Sequence, residues 1–565
     1  MGDGKTPSAF GQVRRGIPLA PRSGDTASAD GQAGKAQATN AQATKSGKTI
    51  DKNNGRPDQR GAGKTLGSKR SDGKSPGGKS PGSKPSGGNR PGMRNGQRPG
   101  TKPAPANKPQ PRRKTAREVA LETLVRVAES GAYSNLQLNR ALEDAGLSRP
   151  DAGLATELVY GTIQHQRLLD DRLQALITKG FRKLDPWVLA LLRMSAYQLL
   201  MLDRVPPHAA VNEAVVIAKR RGHSGISGMV NGVLRNMERN LAELKEPVEQ
   251  ANPVQRIGIT HSYPDWLVKR WIAAYGEETA ERICAAGNER PHSSLRINPL
   301  KLSRDKAMQL LADSGFEAQP SALAAEGVVV SGGGNLAQSD GYRDGWWTLQ
   351  DESSMLVADV CAPESGMKVL DCCAAPGGKT THLAELMGDR GQVVANDVHP
   401  HKQLLIDEHA ARLGLRTVHT VVGDAGTLSE RFEPDSFDLV LLDAPCSGFG
   451  VIRRKPEIKW TKSEADVAAI ADLQAKLMDE AAKLVRPGGV LVYSTCTIEQ
   501  EENEQQVLKF LSSNESFKLD AEWPERVLQP LRANGIVGES FGGMVQLLPQ
   551  HFGSDGFFIA RLKRL

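Results

Sequence analysis

Two segments place a cysteine where a strand gives way to a loop: "LLDAPCSGFGVIRRKPEIKW", with Asp443, Pro445 and Cys446, and "LVYSTCTIEQEEN", with Cys496. A single cysteine is more often a small core hydrophobe than a nucleophile. Two at neighbouring strand ends are another matter, because ligands bind at the carboxyl ends of strands in an open α/β sheet. Three carboxylates obey the same rule, with Asp397 closing "QVVAND", Asp424 closing "TVHTVVGD" and Asp443 closing "FDLVLLD". Upstream, "VLDCCAAPGGKTTHLAEL" reads as strand, glycine turn and helix. It is not a phosphate loop, since Cys373 stands where the first glycine of GxxxxGK[ST] belongs, and GxGxxG is absent. A tight turn remains that lets a ligand approach backbone N–H groups at a helix start. Asp397 lies twenty residues past Gly377, the spacing of a carboxylate that bonds ribose hydroxyls, and Asp424 is placed to reach an adenine amine. An adenosine ligand without a phosphate cradle points to S-adenosyl-L-methionine.

Methylation of cytosine at C5 gives such thiols a task. C5 is too weak a nucleophile to attack a sulfonium methyl directly. A thiolate adding to C6 makes C5 enamine-like, an acid near N3 assists the addition, and loss of the C5 proton then expels the sulfur. Residue chemistry alone leaves open which cysteine attacks.

These residues need a scaffold. From 346 to 565 apolar strand candidates ("KVLDCC", "QVVAND", "TVHTVVGD", "FDLVLLDAP", "GGVLVYST", "GFFIARLKRL") alternate with helical stretches, which predicts a doubly wound, mostly parallel α/β sheet. Residues 251–345 mix helical and strand-like patterns, a small α+β module. Residues 115–250 show helical periodicity and no convincing strand, so an all-α domain is expected. Its first helix begins at Thr115, which makes a capping box with Glu118, and Gly131 closes it. "LATELVYGTIQHQRLLDDRLQALI" reads as a further helical segment.

Residues 1–114 hold 24 Lys and Arg against 6 Asp and Glu, a net +18, which leaves −10 for the other 451 residues. This segment is rich in Gly, Pro, Ser and Lys with Phe10 its only aromatic residue, so a disordered basic tail that tethers RNA is expected. No apolar run of membrane-spanning length and no signal-peptide pattern occurs. The six cysteines include no C-x-x-C pair, so neither disulfide staples nor a zinc site is expected, and a reducing cytoplasm fits.

"DCCAAPGGKT", "LLDAPCSGFGVIRRKPEIKW" and "STCTIEQEEN" resemble the RNA cytosine-C5 methyltransferases of the NOL1/NOP2/Sun family. "ELVYGTIQHQRLLD", "LRMSAYQLLMLDRVPPHAAVNEAVVIAK" and "GMVNGVLR" resemble the NusB-like RNA-binding domain, which the bacterial Sun type joins to its catalytic domain. The resemblance runs from Arg117 to Leu565 and implies a Rossmann-like class I methyltransferase domain behind a NusB-like domain and a small RNA-recognition module. It further implies that Cys373, Ala374, Ala375, Pro376, Gly377, Gly378 and Lys379 line the S-adenosylmethionine site with Asp397, Asp424 and Asp443. It assigns the attack on C6 to Cys496, release of product to Cys446, and a contact with the cytosine ring to Asp443. The implied substrate is 16S ribosomal RNA, met by a monomer, with no DNA or membrane partner. A transfer-RNA methyltransferase of the same family and a non-catalytic NusB-like antitermination factor are the rival readings.

Two finer expectations concern the loops. Arg453, Arg454, Lys455, Lys459 and Trp460 form a basic-aromatic run fit to hold RNA phosphates and stack a base. Thr497 with Gln500 reads as a capping box, which would put Cys496 just outside a helix whose dipole favours thiolate.

Overall fold

Thr115 caps the first helix as its spacing from Glu118 predicts. In the computed structural model, which describes residues 113–131, 133–177, 180–332 and 334–565, Glu118 N–H donates to the Thr115 hydroxyl at 3.3 Å and Thr115 N–H to the Glu118 carboxylate at 2.9 Å. The basic tail expected over 1–114 lies outside the described residues apart from Arg113 and Lys114. The helix runs Ala116–Ser130 and ends at Gly131, whose φ of 61° suits a residue without Cβ.

Helices Ser134–Ala145, Arg149–Gln164, Gln166–Gln174, Pro186–Met201, Pro207–Arg221 and Ser224–Arg239 follow. Pro186–Met201 is apolar on nearly all sides and forms the centre, with Leu191 and Leu192 fully buried. Each such leucine contributes about 1.5–3 kcal/mol by leaving water. The segment read as one helix over 154–177 is two, because the Arg167 N–H bonds the Ser262 hydroxyl at 2.7 Å. That break brings the next module against the bundle.

Helices Pro253–Thr260, Asp265–Tyr275 and Glu277–Ala286 lead into a four-stranded antiparallel sheet of β1 (Ser293–Ile297), β2 (Phe316–Pro320), β3 (Gly327–Gly332) and β4 (Trp347–Leu349), in the order β2-β3-β1-β4. The catalytic sheet contains β5 (Lys368–Asp371), β6 (Gln392–Asp397), β7 (Val418–Val422), β8 (Phe437–Asp443) and β9 (Val485–Thr495). β10 (Phe517–Leu519), β11 (Met544–Leu547) and β12 (Phe557–Arg564) complete it. Its order is β10-β12-β9-β8-β5-β6-β7, with β11 beside β12. β7 through β9 pair in parallel and β12 runs antiparallel to β9. All the parallel strands therefore end on one face, and β8 and β9, which carry the two cysteine loops, are neighbours. Among the described residues no helix is long and apolar enough to cross a membrane.

The helix expected at Thr497 is displaced. Residues 496–503 form turns, and the helix starts at Glu504 after Asn503. Local capping loses to tertiary bonds here. The Asn503 amide donates to the Thr497 carbonyl at 3.0 Å and accepts from the Thr495 hydroxyl at 2.5 Å, while Thr497 Oγ1 lies 2.7 Å from Ser447 Oγ. Cys496 therefore does not directly precede a helix N-terminus.

Candidate active site

The two sulfurs meet. Register places Asp443 of β8 beside Ser494 of β9, and Ala444 N–H donates to the Ser494 carbonyl at 2.8 Å, so the loops leave the sheet together. Cys446 Sγ lies 3.2 Å from Cys496 Sγ. The loops are also tied further on, where Gly450 N–H donates to the Cys496 carbonyl at 3.0 Å and Gly556 N–H donates to the Gly450 carbonyl at 2.9 Å. A Cβ on Gly450 would fall 1.8 Å from the Gly556 oxygen, so only glycine allows this approach. Sequence reading passed over Gly450; a glycine three residues past a strand-end motif was its one signal.

The environment divides the thiols. Cys496 is held below the ordinary thiol range by the bond from Cys446, which outweighs burial, and Lys379 and Lys455 act in the same direction. Cys446 is driven well above that range by the same bond and by burial, with the Cys496, Glu502 and Asp443 charges adding to it. Of the two, Cys496 is thus the sulfur that loses its proton more readily. Lys379 Nζ donates to Asp443 Oδ2 at 2.8 Å, and Ser494 Oγ donates to Asp443 Oδ1 at 2.8 Å. Burial works against the Lys379 ammonium, but Asp443 keeps it above the usual lysine range.

Two cavities open beside the pair, the first on both sulfurs and the second on Cys496 without Cys446. The first, about 760 Å³, is lined by Cys373, Ala375, Asp397, Asp424 and Asp443 together with both cysteines. The second, about 410 Å³, is lined by Ala374, Pro376, Gly378, Lys379 and Asp555, and shares Cys373, Ala375, Asp443, Lys455 and Cys496 with the first. The expected cofactor loop is therefore two-sided. Cys373 and Ala375 face both cavities, whereas Ala374, Pro376, Gly378 and Lys379 face the second. Gly377 makes the turn with φ 101°, and its Cβ would meet Ile406 Cα at 3.2 Å.

The first cavity fits S-adenosylmethionine by its donor set. Three carboxylates from three strand ends suit ribose hydroxyls, an amine and a sulfonium cation, and would repel the phosphates of a dinucleotide. Asp397 is nearly buried, with one oxygen accepting the His399 N–H at 3.0 Å. Asp424 is exposed and bonds the Gly426 N–H at 2.9 Å. In the second cavity, burial pushes the Asp371 carboxyl up to about 7 despite the bond from the Thr380 hydroxyl, and Asp555 also sits at about 7 through burial.

The basic-aromatic run does not face RNA as expected. Arg453 is 5% exposed and donates to the carbonyls of Ala286, Pro549, Gly553 and Ser554. Arg454 pairs with Asp351 and Asp555. Lys459, wholly buried, donates to the Gln164 and Ser262 carbonyls and to Asn288 Oδ1, and Trp460 Nε1 donates to the Ile163 carbonyl. Arg453, Lys459 and Trp460 therefore stitch modules together, Arg454 pairs within the catalytic module and lines the second cavity, and Lys455 alone of the five lines both cavities. The acidic run behaves alike, with Arg270 and Trp271 both donating to Glu499 at 2.8 and 2.9 Å. Those partners stand over two hundred residues away, and no local pattern signals them.

The comparisons agree with this geometry module by module. The profile of the 16S rRNA methyltransferase RsmB/F family matches residues 358–563, that of the NusB family 114–239, and that of the RsmF/B-like ferredoxin-like domain 263–337. The probable ribosomal RNA small subunit methyltransferase B of Bacillus subtilis is 43% identical over 453 residues, covering 80% of this chain and 99% of that one. The ribosomal RNA small subunit methyltransferase B of Pseudomonas syringae is 35% identical over 80% of this chain and 97% of its own length. The solved structure of PH0851 superposes with a TM-score of 0.65 at 28% identity, covering 80% of this chain and 98% of that one. With the sulfur pair, the acid-lined cavity and all three modules in place, the chain belongs to the S-adenosylmethionine-dependent ribosomal RNA small subunit methyltransferase B family.

Proposed function

We propose that the protein methylates C5 of a cytosine in 16S ribosomal RNA, in the cytoplasm, through a covalent adduct between Cys496 and C6 of the base. The observation that carries this reading is the 3.2 Å sulfur pair on adjacent strand ends, whose surroundings favour loss of the proton from Cys496 over Cys446. S-adenosylmethionine, when bound on the side of Asp397 and Asp424, supplies the methyl group. The base enters the second cavity, because Asp397 and Asp424 line only the first while Cys496 and Asp443 belong to both.

The Cys496 thiolate adds to C6, and the pyrimidine electrons move toward N3, so that C5 becomes the nucleophile for the methyl group. Asp443, anchored by Lys379 and Ser494, stands against the N3–N4 edge of the ring. Release requires loss of the C5 proton to a base and cleavage of the C6–S bond. The Cys446 thiol then donates to the departing Cys496 sulfur, which leaves as a stabilised thiolate. The remaining residues of the 373–379 loop hold the backbone between cofactor and base.

Bisulfite sequencing of 16S and transfer RNA from a deletion strain tests the reading. One 5-methylcytosine should vanish from 16S RNA and return with the wild-type gene but not with Cys496→Ala. Loss of a transfer-RNA site alone, or of none, would overturn it.

A further inference from the structure

Among the cations of the two cavities, Lys455 stands apart as the one that lines both without an ion pair, while Lys462, also outside the ion pairs, lines only the first. Lys379 is paired with Asp443, Lys402 lies 3.5 Å from Asp397, and Arg454 is held between Asp351 and Asp555. Among the described residues no carboxylate is paired with Lys455, which is half-buried and lines both cavities. Its ammonium instead lies 5.0 Å from the ring centre of Tyr133, a residue of the helical module. That contact is built rather than incidental. The adjoining Ser134 donates its N–H and its hydroxyl to Glu457 at 3.1 and 2.7 Å, and Glu457 is 3% exposed two residues past Lys455. The helical module thereby presses on the loop that follows Cys446 and sets the direction of one unneutralised ammonium.

Resting on the proposed RNA substrate, we infer that Lys455, held by Tyr133, takes a backbone phosphate beside the target nucleotide. The second cavity has the chemistry of such an entry path. Its wall includes Ser293 of β1, Ser354 and Gln350, which bring hydroxyl and amide groups toward a sugar and phosphate, and its floor holds Cys496. A phosphate needs a cation that is not already neutralised, and the aromatic face keeps Lys455 in place without cancelling its charge. Tyr133 makes the helical module part of the catalytic machinery, as a positioning residue for the RNA rather than a remote anchor.

The full chain, with a 16S transcript as substrate, tests this. Lys455→Ala should raise the half-saturating RNA concentration about tenfold, the worth of one charge-assisted hydrogen bond, and leave KM for S-adenosylmethionine unchanged. The slope of log affinity against log salt should flatten by about 0.7–1, one phosphate contact. Lys455→Arg should restore both values. Tyr133→Phe should match the wild type, whereas Tyr133→Ala should weaken RNA about threefold, the worth of an exposed cation–π contact. An unchanged salt slope in Lys455→Ala would overturn the inference. So would a raised KM for S-adenosylmethionine with RNA binding intact, which would give Lys455 to the methionine carboxylate. Failure of the wild type to methylate RNA would instead bring down the proposed function.

Discussion

The loop after β8 and the loop after β9 each carry one cysteine, and each follows it with charge. They spend that charge differently. Apart from Lys455, the cations that follow Cys446 in this loop are buried against neutral carbonyls and an amide, as with Arg453 and Lys459, or paired with carboxylates, as with Arg454. Of the acids after Cys496, Glu499 is neutralised by Arg270, whereas Glu502 accepts from neutral donors, among them the Ser447 N–H and the Gln474 amide at 2.8 and 3.1 Å. Glu502, whose carboxyl is pushed up by burial, faces Cys446, while Lys379 and Lys455 face Cys496. Two chemically identical thiols are thus shifted in opposite directions, first by the bond between them and then by the carboxylates and ammonium groups that other segments bring.

Breaking the pair gives the largest effect. Cys496→Ala should lower methyl transfer by about 10³-fold or more and abolish RNA adducts in denaturing gels. Cys446→Ala should lose turnover comparably and accumulate a stable adduct. Adducts from the Cys496 variant would exchange the roles.

Next comes Lys379→Met, which leaves Asp443 without its cation. Breaking this largely buried pair should cost about 3 kcal/mol in denaturant unfolding. The sign of its pH effect follows from the thiolate. Attack needs Cys496 deprotonated, Lys379 lowers the pH at which that occurs, and its removal raises it. The acid limb of the single-turnover rate should therefore move to higher pH, and a limb that stays in place would deny Lys379 this part.

Lys459→Met sharpens the contrast between anchoring and RNA contact. It leaves two carbonyls and the Asn288 oxygen short of a donor, so stability should fall by about 1–3 kcal/mol while the salt dependence of RNA binding stays as in the wild type. A flatter salt slope would return Lys459 to the RNA surface. The smallest effect belongs to Glu502→Gln. Removing that charge lowers the pH at which Cys446 becomes thiolate, so its alkylation should begin at lower pH with little change in Cys496. Equal shifts in both cysteines would erase the asymmetry.

Much of this arrangement is legible before folding. Strand-end placement identified Cys446, Cys496, Asp397, Asp424 and Asp443, because a parallel sheet sends every strand's carboxyl end to one face. The Thr115–Glu118 capping box was readable because its partners stand three residues apart. The box expected at Thr497 failed because Asn503 and Ser447 offered those groups better bonds. Arg453, Lys459 and Trp460 looked like an RNA surface because composition records charge and not burial.

The order of residues along the chain establishes the chemistry available: two thiols, three strand-end acids and a glycine turn, each a feature of short range. The protonation of each thiol, the division of the 373–379 loop between two cavities and the anchoring of the basic run belong to the folded molecule. Burial and Coulomb interactions depend on distance in space, and Glu499, Lys459 and Lys455 meet their partners across 171 to 322 residues of chain.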